Sequence, residues 1–191
     1  MGPYVIEKNS VYDLKTKLLS DRIVFIDGAV DDDLATTVVA QLLYLESVDN
    51  DADICMYINS PGGSIYSMFA IFDTMSYIKP DVMTVGIGCV ASAASFILAA
   101  GAKGKRFVLP NTRVMIHQPS GGAHGQVSDI AITYKEIDYL KRRAVDYYAK
   151  FTGKDVSVLE SDMDRDFYMS AEQAVEYGLV DSVEYVRRVQ E

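Results

Sequence analysis

Ser92 stands where a predicted strand gives way to a predicted helix, a position suited to a serine nucleophile. The β-branched run at residues 82–85 predicts a buried strand, and residues 96–100 predict a buried helix that stops at Gly101. Small residues flank Ser92, so a substrate backbone can come close and the first helical N–H groups can point at the attacked atom. The same pattern is more often only a helix packed on a sheet, and the Gly-x-Ser-x-Gly elbow is missing. Ser92 therefore needs partners.

Two histidines are the candidates for a general base that would activate Ser92. His117 follows the apolar run at residues 114–116, where a strand delivers a side chain to the rim of a sheet, whereas His124 lies in a glycine-rich arm. A histidine at such a strand end can take the proton of a nearby serine hydroxyl, as nucleophilic catalysis requires. The alternative for either residue is a structural histidine with satisfied hydrogen bonds.

The acidic segment at residues 162–166 holds the candidates for a third group, which must fix the tautomer of the imidazole. Three aspartates are available there, and their spacing alone does not choose among them. The alternative for this segment is a solvated turn ahead of Ser170, which we expect to cap a helix at residues 171–177.

A diglycine offers the remaining part of such a site. Gly62 and Gly63 follow Pro61 and lead into a predicted helix, so their backbone N–H groups can turn outward as an oxyanion hole. Losing one such donor typically costs ~3 kcal/mol of transition-state stabilisation. As a lone motif, Pro-Gly-Gly is only a turn signal.

Strands and helices alternate along the chain, which predicts an α/β fold with right-handed crossovers. Residues 3–10 are expected to be extended. The predicted strands are 23–26, 54–58, 82–85, 105–109 and 114–116, and the predicted helices are 12–20, 31–48, 64–78, 96–100, 127–151 and 171–177. No linker or low-complexity segment divides the chain, so residues 1–191 are expected to form one domain. The acids at residues 31–33 fit a helix N-terminus and not a metal site.

The helix predicted at residues 127–151 is longer than a domain of this size needs for its own core, since it exceeds ~35 Å at ~1.5 Å per residue. One apolar stripe runs along it, formed by Ile130, Tyr134, Ile137, Leu140, Ala144, Tyr148 and Phe151. We expect this helix to protrude and to bury its stripe against another subunit, the alternative being a helix curved round its own core.

Composition and charge exclude several classes of function. The chain is 49% hydrophobic and 24% charged, as in an ordinary globular protein, and its net charge of −9 argues against a nucleic-acid surface. The N-terminus does not have the pattern of a signal peptide, and no apolar run is long enough to span a membrane. Cys55 and Cys89 fall in predicted strand or core sequence, which predicts neither a disulfide nor a metal site and fits a cytoplasmic location.

Several motifs occur together and in one order. They are residues 57–63 (YINSPGG), 90–92 (VAS), 101–106 (GAKGKR), 109–111 (LPN), 114–119 (VMIHQP), 164–166 (DRD) and 170–181 (SAEQAVEYGLVD). From about Val5 to Val183 the chain resembles the proteolytic subunit of the Clp protease, the ClpP family. Each motif is weak by itself, but their order and spacing are specific.

The resemblance implies a serine endopeptidase. Ser92 matches the family's nucleophile, His117 its general base and Asp166 the residue that orients the base, while Gly63 and Ala93 match the oxyanion-hole positions. Such a site works through an acyl-enzyme and needs no metal or cofactor, because ATP is used only by the partner unfoldase. The implied substrates are short peptides and unfolded polypeptides that the unfoldase feeds into a closed barrel.

The resemblance also implies a fold and an assembly. The family fold is a ClpP/crotonase-type spiral of β-β-α units, with an axial gate segment at residues 1–20 and an arm and handle helix at residues 118–151. The protruding handle stacks two seven-membered rings into a barrel. Asp164 and Arg165 match residues that pair between rings, and the arm that begins at Gln118 would lie at that contact and along the substrate channel.

Tyr57 and Tyr77 match residues of the pocket that receives a hydrophobic loop of a ring-shaped AAA+ unfoldase such as ClpX, ClpC or ClpA. The chain departs from the family's common pattern at other positions. Ala93 and Ala94 replace Met-Gly, and Ser120 replaces Leu. Cys55 stands where an aromatic residue is frequent, and the gate segment that precedes Tyr12 is shorter than usual. These departures motivate a second hypothesis, a weakly active or regulatory subunit in mixed rings with a ClpP paralogue. A third is a crotonase-type acyl-CoA enzyme on the related fold.

Overall fold

The computed structural model describes residues 4–7 and 10–185 of the chain. The strands are β1 (Tyr4–Glu7), β2 (Ser10–Asp13), β3 (Ile23–Asp27), β4 (Ile54–Ser60), β5 (Val82–Ala91), β6 (Arg106–Val108), β7 (Arg113–Ile116), β8 (Phe167–Met169) and β9 (Ser182–Val183). The helices are α1 (Leu14–Ser20), α2 (Asp32–Val48), α3 (Ile65–Tyr77), α4 (Ala93–Ala99), α5 (Val127–Thr152), α6 (Val156–Asp162) and α7 (Ala171–Tyr177). Residues 1–3, 8 and 9 of the predicted gate segment lie outside the described residues.

Seven of the described strands form one mixed sheet. β3, β4, β5, β6 and β9 lie side by side in this order, and each neighbouring pair is parallel. The last residues of β5 pair with a second neighbour, because they run parallel to β7, and β7 pairs antiparallel with β8. β1 and β2 form a separate antiparallel hairpin. The predicted α/β class is confirmed.

The strand sequences alternate in a way that explains their burial. In β4, Ile54, Met56 and Ile58 are fully buried while the residues between them are partly exposed. Period-two alternation of this kind directs one face of the sheet into the core. Helix α4 is buried all round, since every residue from Ala93 to Ala99 is at most 5% exposed. The start of this central helix is therefore held by the surrounding core.

β5 extends six residues beyond its predicted end, and α4 begins three residues before its predicted start. Glycines at positions 86 and 88 interrupt the β-branched pattern, which is why the sequence suggested a shorter strand. Gly86 allows β5 to lie close to β6, because a Cβ on Gly86 would lie 3.0 Å from Cγ1 of Val108. Ser92 consequently sits directly between strand and helix, with no loop on either side.

Several short elements were not predicted. β2 occupies the place of the first predicted helical residues, and α1 begins only at Leu14, because Asp13 caps it by accepting hydrogen bonds from two backbone N–H groups. α6, β8 and β9 were also missed. β8 and β9 contain only three and two residues, too few for an alternating pattern to be visible in sequence.

Helix α5 contains 26 residues and is therefore ~39 Å long. Its C-terminal half packs on the chain's own core through Leu140, Ala144, Val145 and Tyr148. Its N-terminal half leaves apolar side chains exposed, among them Val127, Ile130, Ile132 and Tyr134. The stripe thus divides into two parts, which differs from the expectation that all of it faces another subunit.

Three further expectations concern membranes, metals and cysteines. In the part of the chain that the structure describes, no helix combines the length and apolar character needed to cross a bilayer. The described residues also bring together no group of three or more histidine, cysteine or acidic side chains fit to hold a metal ion. Cys55 is half-buried, and Cys89 is exposed and lies outside the core.

Candidate active site

Ser92 adopts a backbone conformation that is unfavourable for a residue with a side chain, with φ of 57° and ψ of −123°. Such conformations cost ~1–3 kcal/mol and persist only where the surroundings impose them. Here the Ser92 N–H donates to the Met115 carbonyl at 2.9 Å, and the Ser92 carbonyl accepts from the Phe96 N–H at 3.2 Å. A serine before a helix usually caps it, but the Ser92 hydroxyl makes no capping bond. Its side chain is turned to another partner.

That partner is His117, the residue that follows β7. Ala91 of β5 pairs with Met115 of β7, so two neighbouring parallel strands carry Ser92 and His117 to the same edge of the sheet. Nε2 of His117 lies 2.8 Å from Oγ of Ser92. When Nδ1 carries the ring hydrogen, Nε2 is an acceptor for the serine hydroxyl. His124, the other candidate, is exposed in the segment before α5.

Asp166 lies on the other side of the imidazole. Ile116 of β7 pairs with Phe167 of β8 in an antiparallel ladder, so His117 and Asp166 are the next two residues to face each other. Oδ1 of Asp166 lies 2.8 Å from Nδ1 of His117. A carboxylate at this distance accepts the Nδ1 hydrogen and so fixes the tautomer in which Nε2 faces Ser92.

Each aspartate of the 162–166 segment has its own partner. Asp162 accepts a hydrogen bond from the Tyr177 hydroxyl at 2.7 Å, and Asp164 accepts one from Nε2 of Gln118 at 3.1 Å. Asp166 differs from the other two because it directly precedes β8, whose pairing with β7 places it opposite His117. The spacing of residues in the sequence did not predict that strand. The available signal was the pair of residues with high β propensity, Phe167 and Tyr168, that follows Asp166 directly.

Gln118, Asp164 and Arg165 were expected at a contact between rings. Within the chain, the Gln118 backbone N–H donates to the Met163 carbonyl at 2.6 Å, and its side-chain amide donates to both the carbonyl and the carboxylate of Asp164. Arg165 is exposed. These bonds fasten the end of β7 to the acidic segment two residues away from Asp166.

The two predicted oxyanion-hole residues lie beside Ser92. Gly63 bridges to Val30 in parallel fashion, and this bridge uses the Gly62 carbonyl and the Ser64 N–H, which leaves the Gly63 N–H on the opposite side. Ala93 is the first residue of α4, where backbone N–H groups have no partner within the helix. A Cβ on Gly62 would lie only 3.0 Å from the Ala93 nitrogen, so the two segments are in contact. The Ala93 N–H belongs to the peptide group that follows Ser92, and Gly63 lines the same cavity as Ser92 and Ala93.

A cavity of about 290 Å³ opens beside the Ser92 hydroxyl. Its lining is mostly apolar or hydroxylic and consists of Gly63, Ser64, Ile65, Tyr66, Met68, Ser92, Ala93, Phe96, His117, Pro119, Ser120, Ala144, Tyr148 and Met163. One water molecule needs only about 10–15 Å³ of such space, so the cavity is many times larger than a single water site. The cavity is therefore large enough for one amino-acid side chain next to the hydroxyl.

Tyr57 and Tyr77 are the residues matched to an unfoldase-docking pocket. Neither is among the described residues that line the cavity beside Ser92. Tyr57 lines a second cavity of about 530 Å³ between α1 and the ends of β3 and β4, together with Phe25 and Ile87. Its ring stacks on that of Phe25 with centroids 5.8 Å apart. Tyr77 ends α3, is 81% exposed and is not among the described residues that line this cavity.

The geometry defines an α/β protein whose mixed sheet carries a hydroxyl, an imidazole and a carboxylate in one row at its edge. The sequence agrees with the family model described as "Clp protease" over residues 6–187, nearly the whole chain. The chain belongs to the Clp protease family, and the family identifies it as a protease.

Proposed function

We propose that the protein is a serine endopeptidase in which Ser92, His117 and Asp166 form the catalytic triad. The observation that carries this function is the hydrogen-bonded row of three side chains, with 2.8 Å from Ser92 to His117 and 2.8 Å from His117 to Asp166. The three residues come from the ends of β5 and β7 and the start of β8, so rigid elements hold their relative positions. Preorganised geometry of this kind is what a serine nucleophile requires.

In the first half of the reaction Oγ of Ser92 attacks the peptide carbonyl carbon while Nε2 of His117 accepts the hydroxyl proton. Asp166 keeps the other ring hydrogen on Nδ1 and stabilises the imidazolium that forms. The negative charge on the former carbonyl oxygen is stabilised by the N–H groups of Gly63 and Ala93. The C–N bond then breaks as His117 gives the proton to the leaving amine, and an acyl-Ser92 ester remains.

In the second half a water molecule replaces the amine. His117 accepts a proton from the water as its oxygen attacks the ester carbonyl, and it returns the proton to Oγ of Ser92 when the ester bond breaks. The carboxylic acid product leaves and the serine is regenerated. Every proton moves between the chain's own groups, the peptide and water, so the proposed reaction uses no cofactor and ATP serves only a partner unfoldase.

The cavity beside Ser92 supports a preference for uncharged side chains at the residue that supplies the attacked carbonyl. No aspartate, glutamate, lysine or arginine is among the described residues that line it. Burying a charge without a partner is strongly unfavourable, whereas an apolar side chain can contact Met68, Phe96 and Ala144. Peptides cleaved after an apolar residue are therefore the proposed substrates.

Assembly into a closed barrel belongs to the same proposal. It is supported by the exposed apolar side chains on the N-terminal half of α5, which include Val127 at 86% and Tyr134 at 68% exposure. Two stacked seven-membered rings would cover them, with the catalytic sites inside and an AAA+ unfoldase docked near Tyr57 and Tyr77. The barrel would then admit short peptides freely and folded proteins only after unfolding.

The test combines hydrolysis with labelling of the nucleophile. We expect the purified protein to cleave a fluorogenic peptide with leucine or methionine before the scissile bond, and a fluorophosphonate to label one site that peptide mapping places at Ser92. Ser92→Ala should abolish both. The exposed Ser157→Ala variant is the matched control and should retain both. Undiminished labelling of Ser92→Ala would refute the assignment.

The same experiment addresses the alternative of a weakly active subunit in mixed rings. The triad residues all come from one chain, which favours activity without a paralogue. If the protein alone is labelled at Ser92 but hydrolyses peptides only after a second ClpP is added, the mixed-ring function is the better one.

A further inference from the structure

Two buried hydroxyl groups adjoin the proposed active site and take no part in the reaction described above. Ser95 on α4 is fully buried, and Tyr148 on α5 is 3% exposed. Their oxygens lie 2.9 Å apart. Tyr148 also lines the cavity beside Ser92, so the pair lies directly behind the site.

The direction of the hydrogen bonds in this pair follows from a third contact. The Ser95 hydroxyl donates to the Ser92 carbonyl at 2.7 Å, so the single hydrogen of Ser95 is already used. The bond between the two hydroxyls must then be donated by Tyr148. Burial raises the pKa of the Tyr148 phenol, which therefore keeps its hydrogen and remains a donor. The hydroxyls form a one-way chain from Tyr148 to Ser95 to the backbone of Ser92.

We propose that Ser95 and Tyr148 are positioning residues that hold the strained backbone of the nucleophile from the side of α5. This inference rests on the proposed function of Ser92. The Tyr148 hydroxyl acts through Ser95: its bond keeps the Ser95 side chain in the rotamer that donates to the Ser92 carbonyl. Without it the Ser95 hydroxyl can rotate among three staggered positions, and only one of them supports Ser92.

The hydrogen bonds from Tyr148 through Ser95 end at the Ser92 carbonyl, and this position explains why they affect the reaction. The Ser92 carbonyl is adjacent to the Ala93 N–H, since both belong to the same peptide group, and that N–H is a proposed oxyanion donor. A hydrogen bond to the carbonyl therefore fixes the orientation of the donor as well as that of Ser92. Tyr148 is itself immobile, because its ring packs edge-to-face on Phe96 with centroids 5.3 Å apart.

The test is a double-mutant cycle measured with the intact protein. We expect Tyr148→Phe to lower kcat for a short fluorogenic peptide by roughly 3- to 10-fold, the equivalent of one neutral hydrogen bond. KM should change little, because the ring still lines the cavity. Ser95→Ala should lower kcat by at least as much. The double variant should be no slower than Ser95→Ala, because Tyr148 acts only through Ser95.

Tyr147→Phe is the matched control. Tyr147 is the neighbouring residue on α5, and its ring also packs edge-to-face on Phe96, but its hydroxyl accepts a hydrogen bond from Arg143 at the surface. We expect this variant to keep the wild-type kcat. Circular dichroism and mass measurements on each variant verify that folding and assembly are intact at the assay temperature.

Three outcomes overturn the positioning role. These are a wild-type kcat in Tyr148→Phe, losses that multiply in the double variant, and a loss confined to substrates with one type of side chain in the cavity. Failure of the proposed function looks different, because the wild-type protein would then show no hydrolysis that depends on Ser92. Fluorophosphonate labelling gives a second readout, and its rate constant should fall in parallel with kcat.

Discussion

Gly62 packs so closely on Ser92 that a Cβ on the glycine would lie 2.6 Å from Cβ of the serine. The same methyl group would lie 2.6 Å from the Ala91 carbonyl oxygen, and Gly62 has a φ of +94°. A side chain at this position would therefore displace the backbone that carries Ser92. We expect Gly62→Ala to reduce peptide hydrolysis at least ~100-fold, the scale on which small displacements of reacting groups act.

Gly104 is a control that separates the cost of a positive φ from the steric contact with Ser92. Gly104 has a φ of +85°, and a Cβ there would meet no heavy atom within 4 Å. Gly104→Ala should cost ~1–2 kcal/mol of unfolding free energy through its backbone conformation and leave kcat unchanged. Equal kcat values for the two variants would show that the Gly62–Ser92 contact does not position the nucleophile.

Asp166→Asn tests whether the carboxylate orients His117. An asparagine amide can donate to Nδ1 and thereby favour the tautomer whose hydrogen is on Nε2, which cannot accept the Ser92 proton. The loss of kcat is expected on the order of 10⁴-fold where such an acid is the sole orienting group. The measurement is steady-state hydrolysis of a short peptide, with the Ser92→Ala variant as the background.

The control for Asp166→Asn lies in the same acidic segment. Asp162→Asn keeps an oxygen that accepts the Tyr177 hydroxyl bond, so it removes one negative charge near the site without changing the tautomer of His117. It should retain most of the wild-type kcat. A comparable loss in both variants would point to the charge of the segment and not to the orientation of the imidazole.

The sequence predicted those site residues that follow a visible strand pattern. It did not predict a residue whose position depends on pairing with a strand far away in sequence. Ser92 and His117 each follow an apolar run with β propensity, and parallel strands end at one edge of a sheet, so spacing brought them together. Asp166 is placed by a three-residue strand paired across some fifty positions of sequence, and the two aromatic residues that begin this strand are too short a pattern to predict it. Only the order of motifs singled it out among the three aspartates.

The same limit explains the misjudged parts of the fold. The apolar stripe of α5 was visible, but which half of it meets the core depends on where the helix lies on the sheet. Ser95 and Tyr148 were missed as a pair because they are fifty-three residues apart and each is ordinary in its own helix. Periodicity identifies an apolar face, and only tertiary structure assigns its neighbours.

The exposed half of α5 makes a prediction about assembly. Tyr134 lies on the apolar stripe and is 68% exposed, so a glutamate there would place a charge in any contact that buries the stripe. We expect Tyr134→Glu to convert a particle of about fourteen subunits into a smaller one, as measured by native mass spectrometry or sedimentation. Ser128→Glu adds the same charge to an exposed position roughly 120° away round the helix and should leave the mass unchanged.

A buried ion pair ties the C-terminal part of the chain to the sheet. Arg106 is 5% exposed as a residue, and its guanidinium donates to Asp181 at 2.7 and 3.1 Å. It also donates to the carbonyls of Ala99, Phe151 and Gly178. Burial alone would raise the pKa of Asp181, but the hydrogen bonds from Arg106 outweigh it and hold that pKa below its ordinary value. The pair therefore stabilises the folded state only while Asp181 is ionised.

Asp181→Asn should lower the free energy of unfolding by ~2–3 kcal/mol near neutral pH, since Arg106 stays buried with fewer acceptors. Because the folded pKa is lowered, the wild-type advantage is fully present above the ordinary carboxyl value of ~3.9 and declines as the pH falls through the lower folded value. Urea unfolding at fixed protein concentration, from pH 7 down to pH 3, should show the two proteins converging in acid. Asp51→Asn breaks an exposed pair with Lys79 and should change stability at no pH, whereas a constant gap between wild type and Asp181→Asn would contradict the linkage.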